Sequence, residues 1–426
     1  MVDARMARVI GAVNIGSFRI SAMIAGVSET GELTVLGSGH RAAQGIKRGY
    51  VTEMAAATYA VRDAVERAEK LAGTSVDAVW IGCSGANLSA GISPVEIEIG
   101  GRRIEEEDVE QLLLAGREAL EPDGRMVLHA QPGLYYLDGA DGIANPRGLH
   151  AEQLGVDIHV IRAEGAPMRN LKEVVQNAHL EVEGVVASPL AAAHACLSAE
   201  ERELGVALVE FGAQVTNVSA HAGGNLVALT AIGRGSSDIT DALASALGIR
   251  RSQAERLKCV HGSALASPGD HRERVPVAGP GDDRDGPLPR GADAQGQVAR
   301  AEVVGVITGE LDQLAGEIGR ALEQMGYSGR NGRQVVLTGG GAELTGLADY
   351  MQAALGRPVR IGRPPAIKGL PEAHGVPGFA TLAGLVLYAL DDPIDIRALH
   401  SHTQYSRRPA GVATMVRLWR AMKESF

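Results

Sequence analysis

Residues 11–37 read GAVNIGSFRISAMIAGVSETGELTVLG, and residues 205–231 read GVALVEFGAQVTNVSAHAGGNLVALTA. Each is an apolar run, a short glycine turn, a second apolar run and a third after a polar or glycine bend. This pattern predicts a three-stranded meander in both places. An approximate internal repeat of this kind predicts two similar halves facing each other across a cleft.

Working outward, residues 52–72 carry apolar positions at helical spacing, and VDAVWIGCSG (76–85) reads as a strand. The stretch 86–165 differs in texture. VEIEIG, RMVLHAQPGLYYL and GVDIHVIRAE read as strands, and IEEEDVEQLLLAGREAL reads as a helix with its acidic residues at the positive N-terminal end. This is the pattern of a small inserted α+β subdomain. Residues 166–200 read as helix, strand, helix. Helices are expected near 237–247, 252–259, 301–325 and 376–390. Residues 264–300, rich in Gly, Pro, Asp and Arg, read as a loop, with RERVPVAG open to a strand reading.

The chain has 426 residues, 45% of them apolar but only 3% aromatic, so two or more domains with cores of small aliphatic side chains are expected. Net charge is −10, against the basic footprint of a general nucleic-acid binder. From Ser401 onward the balance reverses: Arg407, Arg408, Arg417, Arg420 and Lys423 face one carboxylate, Glu424. A basic tail on an acidic body suggests an anionic partner for the tail. Cys83, Cys196 and Cys259 are far apart, without CxxC or a His cluster, and read as reduced, partly buried thiols. Asp3, Arg5 and Arg8 precede any apolar run, so no signal peptide is expected at the N-terminus. The longest apolar stretch, 379–390, falls short of the roughly 20 residues a spanning helix needs. Any membrane contact is therefore expected to be peripheral.

Three segments share one arrangement: NIGSFR (14–19), EFGAQVTN (210–217) and LTGGGAEL (337–344) each end a strand in a glycine turn. Glycine lets backbone amides approach an anion, and successive amides form an anion-binding concavity. The third turn is expected to open a helix whose dipole adds to the site. A single such turn is a weak signal and is more often structural; three in this order are much stronger.

In order and spacing, the three turns resemble the first phosphate loop, second phosphate loop and adenosine loop of the actin/Hsp70/sugar-kinase superfamily. Within it the chain resembles the FtsA family. GIANPRGLHAEQLGVDIHVI (142–161) is similar to a segment of that family's inserted subdomain, and ERELGVALVEFG (201–212) to its entry into the second phosphate loop. The resemblance covers the chain from about residue 8 to 426. It implies an α/β fold of actin-like (ribonuclease H-like, duplicated) type, two halves around a nucleotide cleft. The implied subdomains are 1A at 1–85 and 166–200, an SHS2-like insert (1C) at 86–165, 2A at 201–245, and 2B at 246–310 with a loop at 264–300. The return to 2A with a closing helix follows at 311–400, then a linker at 401–411 and an amphipathic membrane-targeting helix at 412–426.

The resemblance also implies ATP, with Mg²⁺, as the cleft ligand. The matching positions are Asn14, Gly16, Ser17 and Arg19 in the first loop, and Glu210, Gly212, Ala213, Gln214 and Val215 in the second. Glu255 and Lys258 occupy the family's spacing near adenine, and Gly339, Gly340 and Gly341 form the adenosine loop. Two departures matter. The family usually has an acidic residue at position 14, where this chain has Asn14. Its second loop usually reads Asp-Ile-Gly-Gly-Gly-Thr followed by Asp, where this chain has Glu210 to Val215 and then Asn217. Carboxylates at such positions place Mg²⁺ and its waters. The expectation is nucleotide binding in weak or altered form with negligible hydrolysis. A cleft that is empty and purely structural is the alternative.

At 100° per residue, Val412, Met415, Val416, Leu418, Trp419, Met422 and Phe426 fall within about 160° of one another. Arg417, Arg420 and Glu424 lie opposite, with Lys423 at the flank, where its long side chain can reach headgroups. This is the pattern of a helix lying in the membrane plane. SHTQYSRRPAG (401–411) reads as its tether. A terminal helix packed on its own domain is the bland alternative.

By resemblance, the chain is a membrane-tethered adaptor that binds the C-terminal tail of the tubulin-like protein FtsZ near 245–300. It would polymerise, and it would use the insert to meet neighbouring subunits or later division proteins. It would sit on the cytoplasmic side of the inner membrane at the division site. A superfamily small-molecule kinase would need an acidic base and intact phosphate loops. An actin-like platform protein of pilus assembly shares the insert but is not expected to end in this amphipathic helix. GCSGA (82–86) lacks the second glycine of a nucleophile elbow, there is no HExxH and no P-loop motif, and the acidic run 105–108 reads as a solvated helix start.

Overall fold

The computed structural model describes residues 6–85, 87–120, 124–277, 296–327 and 334–399. The expected linker and terminal helix, with Met415 to Phe426, and residues 278–295 of the expected loop lie outside the described residues. The chain divides into two compact units. One comprises residues 1–92, 122–129 and 159–393; the other comprises 93–121, 130–158 and the segment from 394.

The larger unit begins with the first meander, β1 (Met6–Ile15), β2 (Arg19–Ser28) and β3 (Leu33–Ala42). A two-residue hairpin, β4 (Ile46–Lys47) and β5 (Tyr50–Val51), leads into α1 (Met54–Ala72) and β6 (Ala78–Cys83). Helix α1 buries Ala57, Val61 and Val65 of the positions its spacing predicts, with Ala60, Ala64 and Ala68 beside them, while Leu71 of the same pattern is 70% exposed in the last turn; the helix ends at Gly73 in the left-handed conformation. It lies almost on the backbone of β3. A Cβ on Gly37 would come within 2.3 Å of the Ala68 carbonyl, and one on Gly39 within 2.2 Å of that of Ala64. Small residues on both sides allow this close approach, which is how a chain so poor in aromatics fills its core.

The insertion contributes β7 (Ser89–Glu98), α2 (Glu106–Glu118), β8 (Met126–Leu137), β9 (Ala140–Ile143) and β10 (Gln153–Ala163), which form one sheet in the order β7-β10-β8-β9. The acidic run at the start of α2 is only partly solvated. Asp108 is 5% exposed, receives the Glu105 N–H at 2.8 Å and binds the Arg102 guanidinium through both oxygens. It therefore closes a capping box rather than facing water, and a charged residue this buried needs such a partner.

The larger unit resumes with α3 (Gly165–Asn177), β11 (Glu181–Ala187), α4 (Ser188–Cys196) and α5 (Ala199–Leu204). The second meander follows as β12 (Val206–Phe211), β13 (Thr216–Ala222) and β14 (Asn225–Ile232). Helices α6 (Ser236–Leu247) and α7 (Arg251–His261) and the short pair β15 (Arg274–Pro276) and β16 (Gln297–Ala299) precede the long α8 (Arg300–Gln324). Then come β17 (Val335–Thr338), α9 (Leu347–Leu355), β18 (Val359–Ile361) and α10 (Ala380–Asp391).

The sheets prove the duplication. The first runs β3-β2-β1-β6-β11 and the second β14-β13-β12-β17-β18. In each, the meander is antiparallel and two parallel strands extend it beyond its first strand. The registers agree as well: Ile15 pairs with Ile20 as Phe211 pairs with Thr216, and Asn14 with Ser21 as Glu210 with Asn217. One core gathers β1, β2, α1 and α3 together with Leu382, Leu385 and Val386 of α10. The other gathers β12, β13 and α8, whose Val303, Ile307, Leu311, Leu314 and Ile318 keep helical spacing. Strands β1, β12 and β17 end at glycine turns, and ligands of such sheets bind at the carboxyl ends of the strands.

Candidate functional site

A cavity of ≈ 390 Å³ opens between the two repeats of the larger unit. All the cleft residues expected from the sequence line it: Asn14, Gly16, Ser17, Arg19, Glu210, Gly212, Ala213, Gln214, Val215, Glu255, Lys258, Gly339, Gly340 and Gly341.

The first two turns have one backbone. The Gly16 N–H donates to the Arg19 carbonyl at 3.2 Å, and the Gly212 N–H to that of Val215 at 3.0 Å. Between them, the amides of Ser17 and Phe18, and of Ala213 and Gln214, find no acceptor among the described residues. The third turn differs from expectation. Gly339 takes φ +85° and Gly340–Glu343 form a single 3-10 turn, with α9 starting only at Leu347. A helix dipole does not open at this loop, because the chain spends Leu344 to Gly346 turning before α9 begins. A Cβ on Gly339 would meet the Phe211 carbonyl at 2.6 Å, so glycine there seats the third loop against the second.

The side chains set the chemistry. Glu210 is 7% exposed; its Oε1 accepts the Thr381 hydroxyl at 2.5 Å and its Oε2 the Asn217 amide at 2.8 Å. Burial pushes this carboxyl up, although both hydrogen bonds oppose the shift. Lys258 is 7% exposed and donates to Glu255 (2.8 Å), Thr240 (2.8 Å) and the Ser236 carbonyl (2.9 Å). Burial would raise the Glu255 carboxyl, but hydrogen bonds from Lys258 and Thr240 outweigh it and hold it below its usual range. Arg19 donates to the Gly378 carbonyl at 3.2 Å and lies 3.9 Å over the Phe379 ring. Burial lowers the pKa of its guanidinium and the nearby Glu343 charge opposes this; an arginine remains charged regardless.

Several residues of the site were not legible in the sequence. Arg48 and Gly49, both at positive φ, form the tight turn between β4 and β5. This turn aims the Arg48 N–H at Gln214 Oε1, 2.8 Å away. Ser84, just past β6, accepts from Asn217 Nδ2 at 3.0 Å. Thr381 arrives from α10, and Glu343 accepts the Gly378 N–H at 3.1 Å. The rule that sites form at the ends of parallel strands would have pointed to Ser84. Nothing local marks Arg48 or Thr381.

The donor set does not fit a resident Mg²⁺. Of the three positions where the family resemblance implies carboxylates, Asn14 and Asn217 carry no charge, and each Glu210 oxygen already accepts a hydrogen bond. No group of three or more His, Cys, Asp or Glu able to hold a metal occurs among the described residues. The amide turns, the glycine loop and Arg19 do fit the phosphates and sugar of a nucleotide. Cys83 and Cys196 are buried free thiols, pushed up by burial to about 12 and about 11; Cys259 is exposed and free. Among the described residues no helix is long and apolar enough to cross a membrane.

Residues 207–384 match the family model described as cell division protein FtsA, and residues 85–162 match the SHS2 domain inserted in FtsA. The cell division protein FtsA of Agrobacterium fabrum is 34% identical over 436 residues, spanning 100% of this chain and 96% of that relative. A PilM-PilN type IV pilus biogenesis complex structure aligns with TM-score 0.60 at 17% identity, covering 89% of this chain and 98% of that one. MreB5 of Spiroplasma citri bound to ADP aligns with TM-score 0.54 at 13% identity, covering 90% and 96%. At these identities the two structures speak for the actin-like fold alone. Full-length identity to a curated relative, the two family models and the duplicated fold with its insert agree: the chain belongs to the cell division protein FtsA family.

Proposed function

We propose that this chain is a nucleotide-cleft scaffold of cell division rather than a catalyst. It ties FtsZ polymers to the inner face of the cytoplasmic membrane, polymerises as an actin-like filament and recruits later division proteins. ATP occupies the cleft and is hydrolysed very weakly at most. The observation that carries the scaffold reading is the state of the three carboxylate positions: Asn14 and Asn217 have no charge, and Glu210 is buried with one oxygen bonded by Thr381 and the other by Asn217. The amides cannot act as a base, and burial with two hydrogen bonds leaves Glu210 poorly placed to be one. Family membership supports the division role, and the amphipathic pattern of residues 412–426 supports the lipid contact. Trp and Phe favour the interface, and each basic residue near an anionic surface contributes roughly 1 kcal/mol. A single helix of this kind binds weakly, so filament avidity completes the attachment.

The test is co-sedimentation with anionic liposomes, with phosphate release followed in the same samples. The full chain is expected in the pellet with negligible turnover. Trp419→Glu, or removal of 412–426, is expected to leave it in the supernatant. Unchanged pelleting would remove the tether, and steady ATP turnover would remove the scaffold reading.

A further inference from the structure

We propose that the cleft takes its nucleoside di- or triphosphate as the free anion, without a divalent cation, and that the Arg19 guanidinium neutralises the phosphates in the metal's place. This rests on the nucleotide reading above and specifies the ligand's ionic form.

The polar groups of the cleft sort by sign. On the anion-binding side stand two turns, each with two successive amides free of protein acceptors: Ser17 and Phe18, Ala213 and Gln214. Successive free amides in a tight turn form a concavity that holds an anion. Arg19 spends one N–H on the Gly378 carbonyl and rests on the Phe379 ring. Its other N–H groups have no partner among the described residues. The ring contact fixes the guanidinium plane, and a fixed planar fork can bind phosphate through two parallel hydrogen bonds.

On the cation-binding side almost nothing is left. Asn14 has replaced the carboxylate of the first turn. Glu210 is buried, with both oxygens occupied. Glu255 is neutralised by Lys258. Glu343, the remaining carboxylate, is held by the Gly378 N–H and already faces the charge of Arg19. Mg²⁺ is bound in such sites through one or two carboxylates together with phosphate oxygens and waters. Here the one carboxylate with an unoccupied oxygen is that of Glu343, and the fixed positive charge of Arg19 stands beside it. Arginine supplies the same neutralisation without needing a ligand of its own, and being always protonated it does so at any physiological pH.

The test is calorimetric titration of the full chain with ATP, once in excess EDTA and once in excess Mg²⁺. Binding in EDTA is expected to be as tight as in Mg²⁺ or tighter. Arg19→Ala is expected to weaken binding in EDTA about tenfold or more. Arg19→Lys, which keeps the charge and loses the fork, is expected to fall between. Asn14→Asp is expected to create a preference for Mg²⁺, and no gain there would count against the carboxylate argument. Binding of the unaltered chain about tenfold or more tighter in Mg²⁺ overturns the proposal while leaving the nucleotide reading intact. Absence of binding in both conditions removes the nucleotide reading, and this inference with it.

Discussion

The turn after β1 and the turn after β12 are the same object built twice. They share strand register, closing hydrogen bond and free amides. Their side chains have diverged position by position. Asn14 stands where the second turn has Glu210, Phe18 where it has Gln214, and Arg19 where it has Val215. The first turn offers the cleft a cation. The second offers none, and its Gln214 instead reaches the Arg48 backbone of the other repeat. The two turns keep one backbone, while their side chains have separated: one presents Arg19 to the cleft and the other fastens Gln214 to the Arg48 backbone.

The equivalence of the two backbones is the easiest part to break. A Cβ on Gly212 would sit 2.6 Å from the Val215 carbonyl, and one on Gly16 would sit 2.9 Å from that of Arg19. Gly212→Ala and Gly16→Ala are both expected to destabilise the fold by roughly 1–3 kcal/mol, the former more, by urea denaturation. A neutral Gly16→Ala would mean that the turns are not equivalent.

The difference at the preceding position can be read from pH. Glu210 has its folded pKa raised above the ordinary 4.5, so the folded state holds its proton more tightly than the unfolded chain. Its contribution is fully present below 4.5 and is lost as pH rises toward the raised value. In that window the unaltered chain is expected to lose up to about 1.4 kcal/mol per pH unit relative to Glu210→Gln. Asn14→Gln, at the matching position without a titrating group, is expected to leave that slope unchanged. Thermal melts across the window, compared pairwise, decide it.

The smallest effect is expected at the turn tips. Gln214→Ala removes one hydrogen bond across the cleft and is expected to cost about 0.5–1.5 kcal/mol. Phe18→Ala, at a side chain 60% exposed, is expected to stay within about 0.5 kcal/mol. Equal costs would show that Gln214 fastens nothing.

The meanders, the glycine turns and the helices α1 and α8 are legible because their signals are local: a period, a glycine, a run of β-branched residues. The residues of the cleft predicted from the turns line one cavity for the same reason, since each turn carries its own set. Arg48, Ser84 and Thr381 escaped because each meets a partner more than a hundred residues away, on an element whose own pattern says only hairpin, strand end or helix start. The third turn departs from its pattern. Its glycines predict a sharp bend, but three further residues separate that bend from the helix, and no spacing rule distinguishes a 3-10 turn from a first helical turn. Asp108 is not legible because a capping carboxylate and a solvated one have the same local sequence until Arg102 is placed.

The bonds Thr381–Glu210, Asn217–Ser84 and Gln214–Arg48 all draw on residues 210–217, and all reach to the opposite repeat. They therefore act as a binding along one spine. Parting the repeats at residues 210–217 would break all three at once.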